Sequence, residues 1–155
     1  MGDQILCIFF TEIEFNGFCP RDLICFTGRL TDSLRAELYY DWHAYIDDEN
    51  ARDAFCYIVG LAATLRSFGC YPKAKGEVKD FRFEDEYNAI RFAFIVNKSW
   101  LLFYFRKPAI ESGKYSQSDL RNAFETARET EAGEWTIRLQ SVDDVKRLWR
   151  LLAIC

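Results

Sequence analysis

Residues 90–106 read Ile-Arg-Phe-Ala-Phe-Ile-Val-Asn-Lys-Ser-Trp-Leu-Leu-Phe-Tyr-Phe-Arg. Ile90, Phe92, Phe94 and Val96 fall on every second position, and Leu101, Phe103 and Phe105 do the same beyond Asn97-Lys98-Ser99. A period of two on both sides of a turn-forming tripeptide is the pattern of an antiparallel hairpin. It decides the fold class. Strands joined by tight turns, in a chain that also carries helical stripes, give an α+β fold: a mainly antiparallel sheet with helices packed on it.

Toward the C-terminus, Pro108 and Gly113 mark a loop. Ser116 and Asp119 then have capping-box spacing, with Asp in place of the usual Glu, ahead of a helical stripe of Leu120, Ala123, Phe124 and Ala127. Gly133 opens a short strand in which Trp135, Ile137 and Leu139 face one way. Ser141 and Asp144 repeat the cap spacing before a last helix with Val145, Leu148, Trp149 and Leu152 on one side.

Toward the N-terminus, Glu77 to Phe83 is a strand. Before it, Asp47-Asp48-Glu49 places carboxylates where a helix N-terminus favours them. Phe55, Ile58, Val59, Ala62 and Leu65 mark one face of a helix running to about Phe68, with Gly69 and Pro72 as stop signals. Two periods compete over 34–46. Leu34, Leu38 and Trp42 are four apart, as in a helix. Leu34, Ala36, Leu38, Tyr40, Trp42, Ala44 and Ile46 are two apart, and this longer alternation predicts a half-buried strand with Leu34, Leu38, Trp42 and Ile46 on its inner face. Ile5–Phe15 and Leu23–Leu30 read as two further strands, separated by Asn16-Gly17 and Pro20-Arg21-Asp22. The expected order is β-β-β-α-β-β-β-α-β-α over a single domain, 1–155. Two closely packed β-β-β-α halves, 1–72 and 73–155, are the alternative division.

Half of the 155 residues are apolar, with 14 Phe, 8 Tyr and 4 Trp, enough for a sizeable core. No apolar run reaches the roughly 18 residues of a bilayer span, and MGDQILCIFF lacks the basic start of a secretory signal, so a cytoplasmic protein is expected. Cys7, Cys19, Cys25, Cys56, Cys70 and Cys155 form no Cys-x-x-Cys pair, and several sit in apolar runs, so reduced thiols are expected rather than disulfides or zinc ligands. The net charge of −4 arises in residues 1–75, with 7 basic against 11 acidic side chains. That balance disfavours generic contact with phosphate backbones, which needs a clustered basic surface.

Catalytic patterns are thin. His43, the one histidine, stands near Asp41, and on a strand the two share a face, but no Gly-x-Ser-x-Gly elbow supplies a nucleophile. Glu77-Val78-Lys79 has the Glu-x-Lys spacing of metal-dependent nucleases, without a partner carboxylate in the expected context. No cofactor loop and no metal-ligand spacing is present, so neither a cofactor nor a metal is expected.

The reading that remains is a non-enzymatic intracellular binding protein acting through protein–protein contact, of the inhibitor, immunity, anti-defence or adaptor type. Its expected contact is an acidic patch of Asp47, Asp48, Glu49 and Asp53, with Glu84, Asp85 and Glu86 as a second cluster, meeting a basic partner. The plainer account of these residues is helix capping for the first cluster and a hairpin loop for the second. The alternative function is a nucleic-acid-binding module. There Trp100 and Tyr104 stack bases and Arg91, Arg106 and Lys107 hold phosphates, if the face carrying them is open. A metal-dependent hydrolase or nuclease is the second alternative.

Overall fold

The computed structural model describes residues 33–154. The expected strands at 5–15 and 23–30 lie outside these residues. In chain order the elements are α1 (Ser33–Tyr45), α2 (Glu49–Thr64), β1 (Phe68–Lys75), β2 (Val78–Asp85), β3 (Ile90–Val96), β4 (Leu101–Phe105), α3 (Lys107–Glu111), α4 (Gln117–Ala123), β5 (Arg128–Glu129), β6 (Trp135–Leu139) and α5 (Val142–Leu152). The strands form one antiparallel sheet in the order β1-β2-β3-β4-β6-β5, an α+β fold.

The hairpin at 90–106 forms in the expected register. Phe92 pairs with Phe105, Phe94 with Phe103 and Val96 with Leu101, and the turn closes with the Asn97 N–H donating to the Trp100 carbonyl at 3.0 Å. The same row parity carries Phe81 and Phe83 of β2 and Trp135, Ile137 and Leu139 of β6 to one face. All of these side chains are buried. Phe81 stacks on Phe94 at 4.8 Å, while Phe92–Phe105 and Phe103–Phe105 meet edge to face. The helices cover this face: Tyr39 of α1 reaches Phe81, Phe55 of α2 reaches Phe94 and Trp149 of α5 reaches Phe83, at ring distances of 6.1, 6.3 and 6.4 Å.

The strand expected over 34–46 does not form: residues 34–45 belong to helix α1 and Ile46 follows it. Tyr39, which the alternation placed on the polar side, is buried, as are Trp42 and Ile46, while Ala44 is exposed. The spacing of Leu38, Tyr39, Trp42 and Ile46 is that of one helical face. The period-two pattern was carried by Ala36, Tyr40 and Ala44. Alanine is the strongest helix former, the segment through Tyr45 has no β-branched residue, and a strand of thirteen residues would be more than twice the common length. With α1 in place of a strand, the β-β-β-α order expected for residues 1–72 does not hold over the described part.

Helix α2 starts as expected, with Asp48 Oδ1 accepting from the Ala51 N–H at 2.8 Å. It ends at Thr64, short of Phe68. The supposed stop signals Gly69 and Pro72 lie inside β1. Pro72 is tolerated there because, among the described residues, β1 has only β2 as a ladder neighbour, so a missing N–H costs no second pairing. Residues 107–111, expected as loop, form α3, with Pro108 in its first turn where no amide partner is required. Beyond the two-residue β5, the edge of β6 is covered by a side chain: Thr126 Oγ1 accepts from the Arg138 N–H at 3.0 Å.

Both C-terminal caps form. Ser116 Oγ accepts from the Asp119 N–H at 3.1 Å and Ser141 Oγ from the Asp144 N–H at 3.3 Å. At the other end of α5, Tyr115 Oη and Lys114 Nζ donate to the Leu152 carbonyl at 2.9 and 2.7 Å, satisfying a helix-end acceptor. The chain leaves α5 through Ala153 in the left-handed region, φ 45°. A Cβ there is unfavourable, so Ala153→Gly is expected to raise stability by about 0.5–1 kcal/mol. Urea unfolding checks this, and a loss of stability would contradict the cap geometry.

Candidate binding surface

The face of the sheet opposite the phenylalanines carries two main rows. Lys73, Asp80, Ile95, Leu102 and Arg138 lie in register in one, and Tyr71, Arg82, Ala93, Tyr104, Thr136 and Arg128 in the next. Ile95, Leu102 and Tyr104 are only half-buried, whereas their neighbours on the helical face are fully buried. Among the described residues, the ring contacts that α1, α2 and α5 make with the sheet are to the other face. Some of the polar groups on this outer face are paired. Arg82 meets Asp80 at 2.7 Å, Tyr71 Oη donates to Glu84 at 2.5 Å, and Arg106 meets Glu134 at 2.9 Å.

Trp100 and Tyr104 thus share a half-open face, as the nucleic-acid alternative requires, but each is already flanked by a guanidinium. Arg138 lies 4.7 Å from the Trp100 ring centroid and Arg106 5.6 Å from that of Tyr104. Arg91 is not with them. A bulge between Phe83 and Glu84 leaves it out of the β2–β3 register, and it binds Asp85 at 2.5 Å and the Pro108 carbonyl at 2.9 Å at the end of the sheet. Lys107 is exposed at the start of α3.

The two acidic clusters stand at opposite ends of β3. The Asp47 and Asp48 amides both donate to the Lys98 carbonyl in the β3–β4 turn, whereas Glu84 to Glu86 flank the β2–β3 turn. Seven strand residues at about 3.3 Å each separate them by roughly 20 Å. Several of these carboxylates serve the fold. Asp48 caps α2, Asp47 pairs with Lys98 at 3.1 Å, and Glu84 accepts from Tyr71. Glu49, Asp53 and Glu86 remain exposed.

Asp85 is held locally as well. Its Oδ1 accepts from the Tyr87 and Ala89 amides, each at 2.9 Å, and its Oδ2 from Arg91. Arg91 holds the carboxyl below its usual range, burial opposes this, and the two amides add to the lowering. A carboxyl depressed in the folded state contributes stability above its unfolded pKa, near 3.9, and loses it as pH falls through the folded value. Asp85→Asn is therefore expected to flatten the loss of stability below about pH 4. An unchanged acid limb in unfolding curves would show that the pairing does not act on stability.

The catalytic patterns do not assemble. On α1, His43 and Asp41 are two residues apart and point to different sides of the helix, which corrects the shared strand face. Burial lowers the His43 pKa, Arg52 adds to this and Asp53 opposes it. Lys79 Nζ lies 3.8 Å from the Tyr45 ring centroid and donates to the Glu77 carbonyl, not to its carboxylate. Among the described residues no group of three or more His, Cys, Asp or Glu side chains is placed to hold a metal ion, and no helix is long and apolar enough to cross a membrane. Cys56 is buried and Cys70 half-buried, and burial pushes the Cys70 thiol up to about 12.

Arg138, Ile95 and Arg128 were not singled out from sequence. Alternation around Ile137 and Leu139 places Arg138 outward, but no local pattern tells that β6 pairs with β4. No family model, curated protein or solved structure gives a significant match to the chain.

Proposed function

We propose that the protein acts by binding a protein partner through the outer face of its sheet, as an inhibitor, immunity-type protein or adaptor does, rather than by catalysis. The observation that carries this reading is the half-exposed apolar centre of Ile95, Leu102 and Tyr104, bordered by polar and charged side chains. An apolar centre inside a polar border is the anatomy of a protein contact surface. The acidic clusters are the weaker candidate, because they are roughly 20 Å apart and Asp48, Glu84 and Asp85 are engaged by a helix cap, Tyr71 and a turn. Nucleic acid is also disfavoured. Stacking bases on Trp100 and Tyr104 would displace the guanidiniums of Arg138 and Arg106, and Glu134 already neutralises Arg106.

Capture from source-cell extract by immobilised wild type and Leu102→Asp tests the proposal. The variant is expected to retain the wild-type stability within about 1 kcal/mol and to hold its partner at least about tenfold less tightly, since a charged carboxylate replaces an apolar side chain at the centre of the contact. Full retention by Leu102→Asp, with loss by Glu49→Lys/Asp53→Lys, would move the contact to the α2 cluster. Tight, salt-sensitive binding of the wild type to single-stranded DNA or RNA would overturn the protein reading.

A further inference from the structure

We infer that the outer face docks a second copy of this chain about a two-fold axis parallel to the strands. This rests on the outer face being a protein contact surface and names its partner. The row Asp80-Ile95-Leu102-Arg138 crosses β2, β3, β4 and β6 in register. A two-fold parallel to the strands, lying between the two faces and midway between β3 and β4, reverses that row onto itself. It sets Asp80 against Arg138 of the other copy at both ends and Ile95 against Leu102 in the middle. The next row reads Arg82-Ala93-Tyr104-Thr136. The same rotation sets the small Ala93 against the large Tyr104 and Arg82 against Thr136.

Opposite charge at the two ends and matched apolar side chains between them make the row complementary to its own reverse, the condition for an isologous interface. A two-fold across the strands has no such property, since it sets Asp80 on Asp80 and Arg138 on Arg138. Arg138 is exposed, and among the described residues its guanidinium has no carboxylate within ion-pair distance, its recorded neighbour being the Trp100 ring. Asp80 binds Arg82 through Oδ2. Four strands spaced about 4.8 Å apart and five residues long span roughly 19 by 16 Å, which is small for a stable dimer, so self-association in the micromolar range is expected.

Sedimentation equilibrium of the full chain from about 1 to 300 μM reads this out. The wild type is expected to shift toward dimer mass as concentration rises, and Leu102→Asp to stay monomeric. Arg138→Asp is expected to weaken the dimer by about tenfold, and Asp80→Lys/Arg138→Asp to recover most of that loss. Circular dichroism and the unfolding midpoint identify any variant that fails to fold, and Leu102→Glu and Leu102→Lys repeat the apolar test with other side chains. A wild type that remains monomeric at 300 μM overturns the inference, as does a dimer indifferent to position 102 or a charge exchange that restores nothing. If the wild type is monomeric but Leu102→Asp still loses a captured protein, the outer face remains a docking surface and only the second copy is excluded.

Discussion

Trp42→Ala is expected to lower stability by about 3–5 kcal/mol, the usual cost of emptying a large aromatic site in a core. Trp42 is 2% exposed, with Ile46 fully buried one helical turn further on. The substitution removes the transfer energy of the indole and leaves a cavity that α1 can close only by moving as a unit. For a chain of this size the midpoint of thermal unfolding should fall by roughly 6–20 °C. Burial of Trp42 is common to the helical and extended readings of 34–46, so Tyr39→Ala separates them. On α1, Tyr39 is buried and packs toward Phe55 and Phe81, at ring distances of 6.4 and 6.1 Å. Its loss is expected to cost more than about 2 kcal/mol. On a strand it would face solvent and cost little, so a loss below about 0.5 kcal/mol would argue against the helix.

The segments that were legible from sequence share a property: their local pattern and their tertiary partner agree. The 90–106 hairpin closes on itself, so alternation on both sides of one turn fixes its register with no distant information. Ser116 and Ser141 bond to amides three residues away, and those caps are likewise local. Residues 34–46 were misread because alanines and tyrosines satisfy both periods. The alanines, the lack of β-branched residues and the length favour the helix, which brings Tyr39 onto Phe55 and Phe81. Strand β1 is not legible because Gly69 and Pro72 read as stop signals, whereas both lie within a strand that is an edge of the sheet among the described residues. The outer face was half legible. Trp100 and Tyr104 stood out as aromatics within a strand, but their neighbours Arg138 and Ile95 depend on β4 lying between β3 and β6. In the acidic clusters, the run of charges does not tell that Asp48 caps a helix and that Asp85 accepts from the amides of its own turn.

Phe83→Ala is the second large effect expected, also about 3–5 kcal/mol, and it separates stability from binding. Phe83 is fully buried at the middle of the aromatic layer. Its ring lies 5.4 Å from Phe81, 6.0 Å from Phe103, 6.3 Å from Phe94 and 6.4 Å from Trp149, so it joins three strands to α5. Alanine empties a site whose walls are themselves aromatic and held by other strands, which limits collapse into the space. Aromatic contacts worth about 0.5–1.5 kcal/mol each beyond area burial are lost with it, though they do not add independently. Phe83→Leu keeps most of the volume and should recover at least half of the loss. Phe83 and Leu102 project from opposite faces of the same sheet. Phe83→Ala should therefore leave the affinity of the folded fraction for its partner within about twofold of wild type, whereas Leu102→Asp should do the reverse, sparing stability and losing the partner. Urea unfolding measures the first quantity, and association measured well below the unfolding transition measures the second. If Phe83→Ala weakened association of the folded protein as strongly as Leu102→Asp, the two faces would not be independent, and the contact surface would have to be sought on the helical side.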